Sequence, residues 1–416
     1  MFFRDDQIGW DAFAISMAIM FFIAPIIMTV HFAHRGEDPA GPDPLVVRGG
    51  DLIQFWTGAA VLDANIPSRN LYDREAFRQA YKSVERTDAN SRYNPTYPPP
   101  IYQGFNALEG LGQIRASKLL LWGFLLAYGL GITLLLRSAG LDLPRGTEGW
   151  LLLWAAPASQ LGIATGQPAA LWLALLGGGL ALRQSKRDIL AGIVLGILCI
   201  KPTVAAPVAL ALALAAQWRM VGGFVLGGAG VLALSIAADG IEIWAGYVEM
   251  LFDTPDLTQR LWFHLNRHVS LRSLVAMPFA GTSWAMPVGV AGGAAAFAFA
   301  LWLRGKLAPI FARDTHSFPA FALLLGACTF ATPHLLDYDL ILYYPMMIWA
   351  AYQIAEKRAQ RARVGIAALI FFYIVPIAYP ISEWIHFSVA SLALLLLLGW
   401  CTAEIDFGGG IEADEG

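Results

Sequence analysis

Residues 150–182 read WLLLWAAPASQLGIATGQPAALWLALLGGGLAL, an apolar run in which no side chain carries a charge. A helix needs about 20 such residues to cross the hydrocarbon core of a bilayer. The run is too long for one span, and Gly166-Gln167-Pro168 breaks it, because glycine and proline interrupt a helix. We therefore interpret it as two membrane segments joined by a tight hairpin or a re-entrant corner.

The whole chain has the composition of an integral membrane protein. Of its 416 residues, 57% are hydrophobic and 14% are charged, whereas an ordinary soluble domain carries about 25% charged residues. The formal net charge of -3 offers no basic surface for a nucleic-acid backbone. The three cysteines lie in apolar runs, which indicates neither a disulfide framework nor a metal-binding spacing. These features exclude a soluble enzyme, a disordered chain and a nucleic-acid-binding protein.

A second long apolar run, residues 189–216, is broken at Lys201 and Pro202. With both long runs divided, about twelve stretches qualify as membrane spans, and we predict an all-α polytopic membrane protein. The remaining predicted spans lie near residues 12–32, 115–136, 220–238, 283–303, 317–332, 338–354, 364–380 and 386–402.

The basic residues of the short connections predict the orientation. Fourteen lysines and arginines collect on one side of the predicted spans, while Lys201 stands almost alone on the other. The basic side should be cytoplasmic. We therefore expect both termini in the cytoplasm and two long loops, residues 33–114 and 239–282, outside. Residues 1–403 are predicted to form one membrane domain, residues 404–416 an acidic cytoplasmic tail, and the bacterial plasma membrane is the expected location.

The first outer loop contains the sharpest feature, the segment GGDLIQFW at residues 49–56. The amphipathic pattern of residues 51–64 predicts a helix in the membrane interface, with Trp56 at headgroup level. A carboxylate at the hydrocarbon boundary is partly desolvated, so the pKa of Asp51 should rise and make it a better base. Asp51 could equally be the N-cap of this helix. A second amphipathic segment, residues 74–86, follows.

The loop returns through YNPTYPPP, residues 93–100, where the prolines favour an extended bracket. Tyr97 could stack on a sugar. Beyond it, Lys201 interrupts an apolar run and should face a cavity or a partner unless it snorkels to the surface. It could meet an anionic headgroup.

Two further polar groups lie at predicted span ends. The sequence HLNRH, residues 264–268, favours a phosphate-binding surface over a metal site, because it lacks the glutamate of a zinc protease; a solvated loop is the alternative. His334, Asp337 and Asp339 follow a late span. Placing ionisable groups there costs free energy unless they bind a ligand or pair with another charged group. The acids form a D-x-D pattern, yet no nucleotide-binding domain surrounds them, and Asp337 could simply cap a helix.

In their order along the chain, these pieces resemble glycosyltransferase family 87, the polyprenol-phosphate-mannose-dependent mannosyltransferases of GT-C architecture. The resemblance rests on Asp51 with Phe55-Trp56, Leu71-Tyr72-Asp73, Tyr97-Pro98-Pro99, Gly166-Gln167, Lys201-Pro202, residues 266–270, and His334 with Asp337. It implies a bundle of about twelve transmembrane helices with its site on the outer face. It also implies that an aspartate of the first outer loop is the base, and Asp51 matches that position.

The predicted reaction is the inverting transfer of a hexose, mannose by the family resemblance, from a polyprenyl-phosphate donor to a hydroxyl acceptor. The acceptor is a glycolipid, a glycan or a protein. Asp51 would remove the hydroxyl proton, while cations stabilise the leaving phosphate. The predicted donor-phosphate ligands are Lys201, Arg267 and His334, and the predicted sugar or acceptor ligands are Trp56, Tyr97, Gln167, Asn266 and Asp337. No cofactor is expected, and the sequence does not require a metal.

Three other functions fit a chain with many spans. The nearest is another GT-C enzyme, such as an oligosaccharide ligase or a protein mannosyltransferase, which would also use a lipid donor. A transporter or flippase for a sugar or a lipid-linked substrate would share the buried Lys201 but form no covalent product. A membrane scaffold would use the outer loops for docking and would tolerate replacement of Asp51.

Overall fold

A computed structural model describes residues 52–64, 67–85, 95–140, 153, 156–252, 265–355, 360–374, 382 and 384–405. Every regular element in these ranges is helical. The predicted base Asp51, the first predicted span and nearly all of the acidic tail lie outside the described residues.

The α-helices vary widely in length. In chain order they are α1 (Leu52–Asp63), α2 (Arg74–Glu85), α3 (Pro99–Asn106), α4 (Gln113–Ser138), α5 (Pro157–Ala164), α6 (Ala169–Gln184), α7 (Asp188–Gly196), α8 (Pro202–Leu214), α9 (Trp218–Asp239), α10 (Glu242–Phe252), α11 (Leu271–Ala276), α12 (Ala285–Arg313), α13 (Phe318–Ala331), α14 (Tyr344–Ala355), α15 (Ala362–Ile374) and α16 (Val389–Glu404). Short 3₁₀ helices cover Ser68–Tyr72, Glu109–Leu111, Ile197–Ile200, Leu265–Arg267, Met277–Phe279 and Asp337–Tyr343.

Three helices in the described part of the chain are long and apolar enough to cross a membrane. They are α4 from Arg115 to Ser138, α9 and α12. Several further apolar helices, among them α6, α8 and α13, are shorter. An all-helical chain of this kind indicates an integral membrane protein. The number of twelve spans stays a prediction.

Both predicted interruptions of the long apolar runs are present. Helix α5 ends at Ala164, and α6 begins at Ala169. Between them Gly166 has a φ of +67°, which favours glycine. The second interruption is at Lys201, whose backbone is extended between the 3₁₀ helix Ile197–Ile200 and Pro202. Pro202 begins α8, where its missing N–H costs no helical hydrogen bond.

A buried arginine fixes one end of the bundle. The guanidinium of Arg183, at the end of α6, donates to the carbonyl oxygens of Thr315 at 2.7 Å and His316 at 2.8 Å, just before α13. It also donates to Gln217 Oε1 at 2.9 Å. We call Arg183, Gln217, Thr315 and His316 the clasp. Because Gln217 follows α8, the chain turns at Lys201 and returns to the clasp, which confirms the predicted hairpin.

The clasp also indicates which residues share the other end. Helix α6 runs from the Gln167 corner to the clasp, and α7 with its 3₁₀ extension runs from the clasp to Lys201. Helix α13 begins beside the clasp and ends at Ala331, before the polar residues 332–339. We call residues 332–339 the polar segment. Gln167, Lys201 and the polar segment therefore lie at the end of the bundle opposite the clasp.

Glycines let α7 and α9 pack with their backbones in contact. A Cβ added at Gly227 would lie 2.2 Å from the carbonyl oxygen of Ile193, and one added at Gly196 would lie 2.2 Å from that of Phe224. Further along, a Cβ at Gly228 would lie 2.9 Å from the sulfur of Cys199. Helix α9 continues for roughly 15 Å beyond Gly228, away from the clasp. Lys201 follows Cys199 by two residues, so it lies closer to the clasp than the end of α9 does.

We expect Gly227→Ala to destabilise the protein by about 1–3 kcal/mol, because the added methyl group forces two packed backbones apart. A lower temperature of unfolding in detergent would show it. Gly230→Ala on the same helix is the matched control, since a Cβ there meets nothing within 4 Å. Equal unfolding temperatures for the two variants would contradict this packing.

The segment α1–α3 is attached to the far end of α9. The Gln103 side-chain amide donates to Asp239 Oδ2 at 2.6 Å, and the Ser68 hydroxyl donates to the Asp239 carbonyl at 2.9 Å. Helix α1 is buried along most of its length, with α2 and α3 packed on it. The points at which the segment is attached to α9 therefore lie farther from the clasp than Lys201 does.

The surroundings of Trp56 correct one expectation. The sequence pattern predicted an interfacial helix with Trp56 at headgroup level, but the indole is 1% exposed and donates to Ser117 Oγ at 3.1 Å. Its ring also meets the ring of Phe105 edge-on, with 5.1 Å between the centroids. Protein, rather than lipid, surrounds the apolar face of α1, because α2 and α3 cover it.

Candidate active site

A buried ion pair lies at the centre of the candidate site. Lys201 Nζ donates to Asp339 Oδ1 at 2.6 Å, and the two side chains are only 7% and 2% exposed. The other oxygen, Asp339 Oδ2, accepts from the backbone N–H of Leu336 at 3.4 Å. Two charges withdrawn from water are tolerable here because each compensates the other. The pair joins the start of α8 to the 3₁₀ helix Asp337–Tyr343.

The ammonium of Lys201 keeps hydrogen-bonding capacity for a ligand. An ammonium has three N–H donors, and within the described residues Lys201 makes one hydrogen bond, to Asp339. The rings of Tyr338 and Tyr97 lie 4.5 Å and 5.7 Å from Nζ and provide cation–π attraction. Buried donors normally have acceptors. An anion beside Lys201 would supply them.

Tyr97 connects this pair to α1 and to the corner before α6. Its hydroxyl donates to Gln167 Oε1 at 2.7 Å, and its carbonyl accepts from the Tyr72 hydroxyl at 2.8 Å. The edge of its ring meets Phe55 of α1, with 5.0 Å between the centroids. The structure thus brings together Tyr97, Gln167 and Lys201, which the sequence analysis selected separately. Their roles as sugar or phosphate ligands stay predictions.

The beginning of α1 lies at the same corner. A Cβ added at Gly166 would lie 2.8 Å from the Cβ of Leu52, the first residue of α1. Gly166 precedes Gln167, so the start of α1 lies close in the structure to the residue that accepts from the Tyr97 hydroxyl. Asp51 itself lies outside the described residues, but it immediately precedes Leu52 in the chain.

The polar segment is held by the residues before and within α11. The N–H of Val269 donates to the Leu335 carbonyl at 2.9 Å, and Arg272 Nη1 donates to the Pro333 carbonyl at 3.1 Å. Between these contacts the rings of His268 and His334 meet edge to face, with 4.4 Å between the centroids. Two chain segments far apart in sequence therefore place their basic groups together.

Buried serines hold this arrangement in place. The Ser273 hydroxyl donates to the His268 carbonyl at 2.7 Å and lies 2.9 Å from the Ser391 hydroxyl of α16. Ser270 caps α11 by accepting from the N–H of Ser273 at 3.2 Å. These contacts fix the backbone at His268, and hence the ring that meets His334.

The described side chains around the polar segment carry more positive than negative charge. The basic residues are Lys201, Arg267, His268, Arg272 and His334, and the acidic one is Asp339. Burial lowers the pKa of Arg272, although a guanidinium stays charged at neutral pH. Such a surplus of basic groups attracts a phosphate.

The remaining predicted ligands occupy different positions. Arg267 ends the 3₁₀ helix Leu265–Arg267 and is half-buried next to His268. Asn266 is in the same helix and Asp337 begins the helix Asp337–Tyr343, but their side chains lie outside the described part of the structure. Trp56 is on α1 but contacts α4 through Ser117. The predicted ligand sets therefore stay predictions for these residues.

The predicted ligand sets include Asp337 but not Asp339, Tyr338, His268 or Arg272, although the sequence analysis noted Asp339 and the segment that contains His268. One signal for Asp339 was available, because a lysine at membrane depth needs an acidic partner and only a few acids border the apolar runs. Which of the two, Asp337 or Asp339, is the partner of Lys201 depends on the 3₁₀ helix that contains both.

Comparison with protein families gives a match that covers more than half of the chain. The model of glycosyltransferase family 87 matches residues 96–336, which include Tyr97, Gln167, Lys201 and His334. Comparison with curated proteins and with solved structures found no significant match. From the match to the family, the chain belongs to glycosyltransferase family 87.

Proposed function

We propose that this glycosyltransferase moves a hexose, mannose by the family resemblance, from a polyprenyl-phosphate donor to a hydroxyl acceptor. The observation that supports it most is the buried ammonium of Lys201, which has N–H donors beyond the one that binds Asp339 and lies beside the polar segment. A phosphate that carries a polyprenyl chain needs a cation within the membrane domain. A soluble sugar donor would not require a cation at this depth.

The proposed site faces outward. The connections at the clasp end carry basic residues, among them Lys186, Arg187, Arg219 and Arg313. The positive-inside rule assigns that end to the cytoplasm. Lys201 and the polar segment would then lie towards the outer face, with both termini cytoplasmic and the protein in the plasma membrane. Lipid-linked donors suit this face, since nucleotide sugars are cytoplasmic.

In the proposed reaction, Asp51 takes the proton from the acceptor hydroxyl. The acceptor oxygen forms its bond to the anomeric carbon from the side opposite the phosphate, and the bond from that carbon to the phosphate oxygen breaks. The configuration inverts, and the leaving phosphate gains one negative charge. Lys201, with Arg267 and His334, stabilises that charge as it develops. The packing of Leu52 against Gly166 supports this role for Asp51, because it brings the start of α1 to the Gln167 corner.

The proposal is tested with purified protein in nanodiscs and an acceptor lipid extract from a strain that lacks the gene. We expect labelled mannose to pass to an acceptor from polyprenyl-phosphate mannose but not from a nucleotide sugar. Empty nanodiscs are the control, and mass spectrometry of the labelled product identifies the acceptor. Transfer from the nucleotide sugar would overturn the proposal. Movement of intact donor across a vesicle membrane without a covalent product would indicate a transporter instead.

A further inference from the structure

A buried acid at the centre of an anion site is unexpected. Asp339 is 1% exposed, and its carboxylate occupies one donor of the cation that would bind the donor phosphate. Two anions that share one ammonium repel each other. The carboxylate therefore opposes phosphate binding while it stabilises the empty site.

We propose that Asp339 is an internal substitute for the donor phosphate. It neutralises and orients Lys201 while the site is empty, and it competes with the phosphate for the ammonium once the donor arrives. It is a positioning residue that acts through Lys201. This inference rests on the proposed function, because it requires a phosphate-bearing donor.

The hydrogen bond between Asp339 and Lys201 is the contact for which a donor phosphate would compete. One oxygen is bound to Nζ at 2.6 Å, and the other has a longer contact of 3.4 Å to Leu336. An ammonium has three N–H donors, and the carboxylate of Asp339 uses one of them, so a second anion can bind Lys201 beside Asp339. The surroundings can therefore hold an additional anion while Asp339 stays in place.

Removal of the carboxylate should act in opposite directions on binding and turnover. In Asp339→Asn the ammonium of the empty enzyme lacks its counter-ion, whereas in the complex the phosphate supplies one. The donor should bind more tightly, with a Kd and a KM lower by roughly tenfold. The product phosphate carries one more negative charge than the donor, so its release should slow and kcat should fall. A purely structural role for Asp339 would lower stability and the active fraction without lowering the KM.

The experiment measures kcat and KM for polyprenyl-phosphate mannose, together with the Kd of polyprenyl phosphate, in nanodiscs. The variants are Asp339→Asn and Asp339→Glu. The longer carboxylate of Asp339→Glu still neutralises Lys201, so its donor KM should stay near that of the wild type. Glu249→Gln is the matched control, because it removes a carboxylate from the exposed ion pair between Arg69 and Glu249. A donor KM of Asp339→Asn that is unchanged or raised would overturn the inference.

Folding is tested separately. If Asp339→Asn does not accumulate as folded protein, it is solubilised with and without polyprenyl phosphate. The inference predicts recovery of folded protein only when the phosphate replaces the lost anion, and failure of this rescue would overturn it. Failure of the proposed function is distinguishable, because the wild-type protein would then show no transfer from the lipid donor at all.

Discussion

Asp51→Asn is expected to slow glycosyl transfer by about 10²- to 10⁴-fold, the usual contribution of a general base. The amide keeps the shape of the side chain but cannot accept the hydroxyl proton. Donor binding should change little, since the phosphate ligands are untouched. Single-turnover transfer from labelled polyprenyl-phosphate mannose measures the effect. Leu52, which packs against Gly166 beside Gln167, is the described residue on which this expectation depends.

The control for this variant is Asp73→Asn in the same segment of the chain. Asp73 Oδ1 accepts from the N–H of Ala76 at 2.8 Å and caps α2, and asparagine caps a helix about as well as aspartate. The control should therefore transfer at the wild-type rate. If Asp51→Asn also transferred at that rate, Asp51 would not be the base.

Lys201→Met is expected to lower kcat/KM for the donor by about 10²- to 10³-fold, as the loss of one charge-stabilising group commonly does. It should also lower the stability of the empty protein by about 3–5 kcal/mol, because the buried carboxylate of Asp339 loses the ammonium that compensates its charge. Thermal unfolding and initial-rate kinetics in the same detergent give the two effects separately.

A double variant separates stability from catalysis. Lys201→Met with Asp339→Leu removes both charges and replaces them with apolar groups, so the folded state should recover much of its stability. Transfer should not recover, since the phosphate still lacks its cation. Lys306→Met, an exposed lysine of α12, controls for the loss of a lysine. Recovery of transfer in the double variant would show that Lys201 has only a structural role.

Local chemistry allowed much of the helix pattern to be predicted. Glycine and proline disfavour a continuous helix through local backbone geometry, so the interruptions at Gly166, Pro168 and Pro202 could be located without knowledge of the partners. The helix α2 was likewise predicted, from the amphipathic pattern of residues 74–86. The early selection of Tyr97, Gln167 and Lys201 rested on resemblance and on the cost of polar groups near lipid, and the structure places the three together.

What could not be predicted depends on contacts between distant segments. The apolar face of α1 suits lipid and protein equally well, so the burial of Trp56 follows only from the docking of α2 and α3. The choice of Asp339 over Asp337 as partner of Lys201 depends on the 3₁₀ helix at that position. In the sequence, Arg183 served only as one of the basic residues that predict the orientation. In the structure its guanidinium is buried and connects the end of α6 to Gln217 and to residues 315–316.

The clasp has a consequence for the order in which the protein is assembled. The carbonyl groups of Thr315 and His316 follow Arg183 by 132 and 133 residues. During synthesis, the guanidinium at the end of α6 can bind Gln217 early, but it cannot form its hydrogen bonds to residues 315 and 316 until that part of the chain exists. The first half of the polypeptide alone therefore lacks two of the acceptors that hold this buried cation in the folded protein.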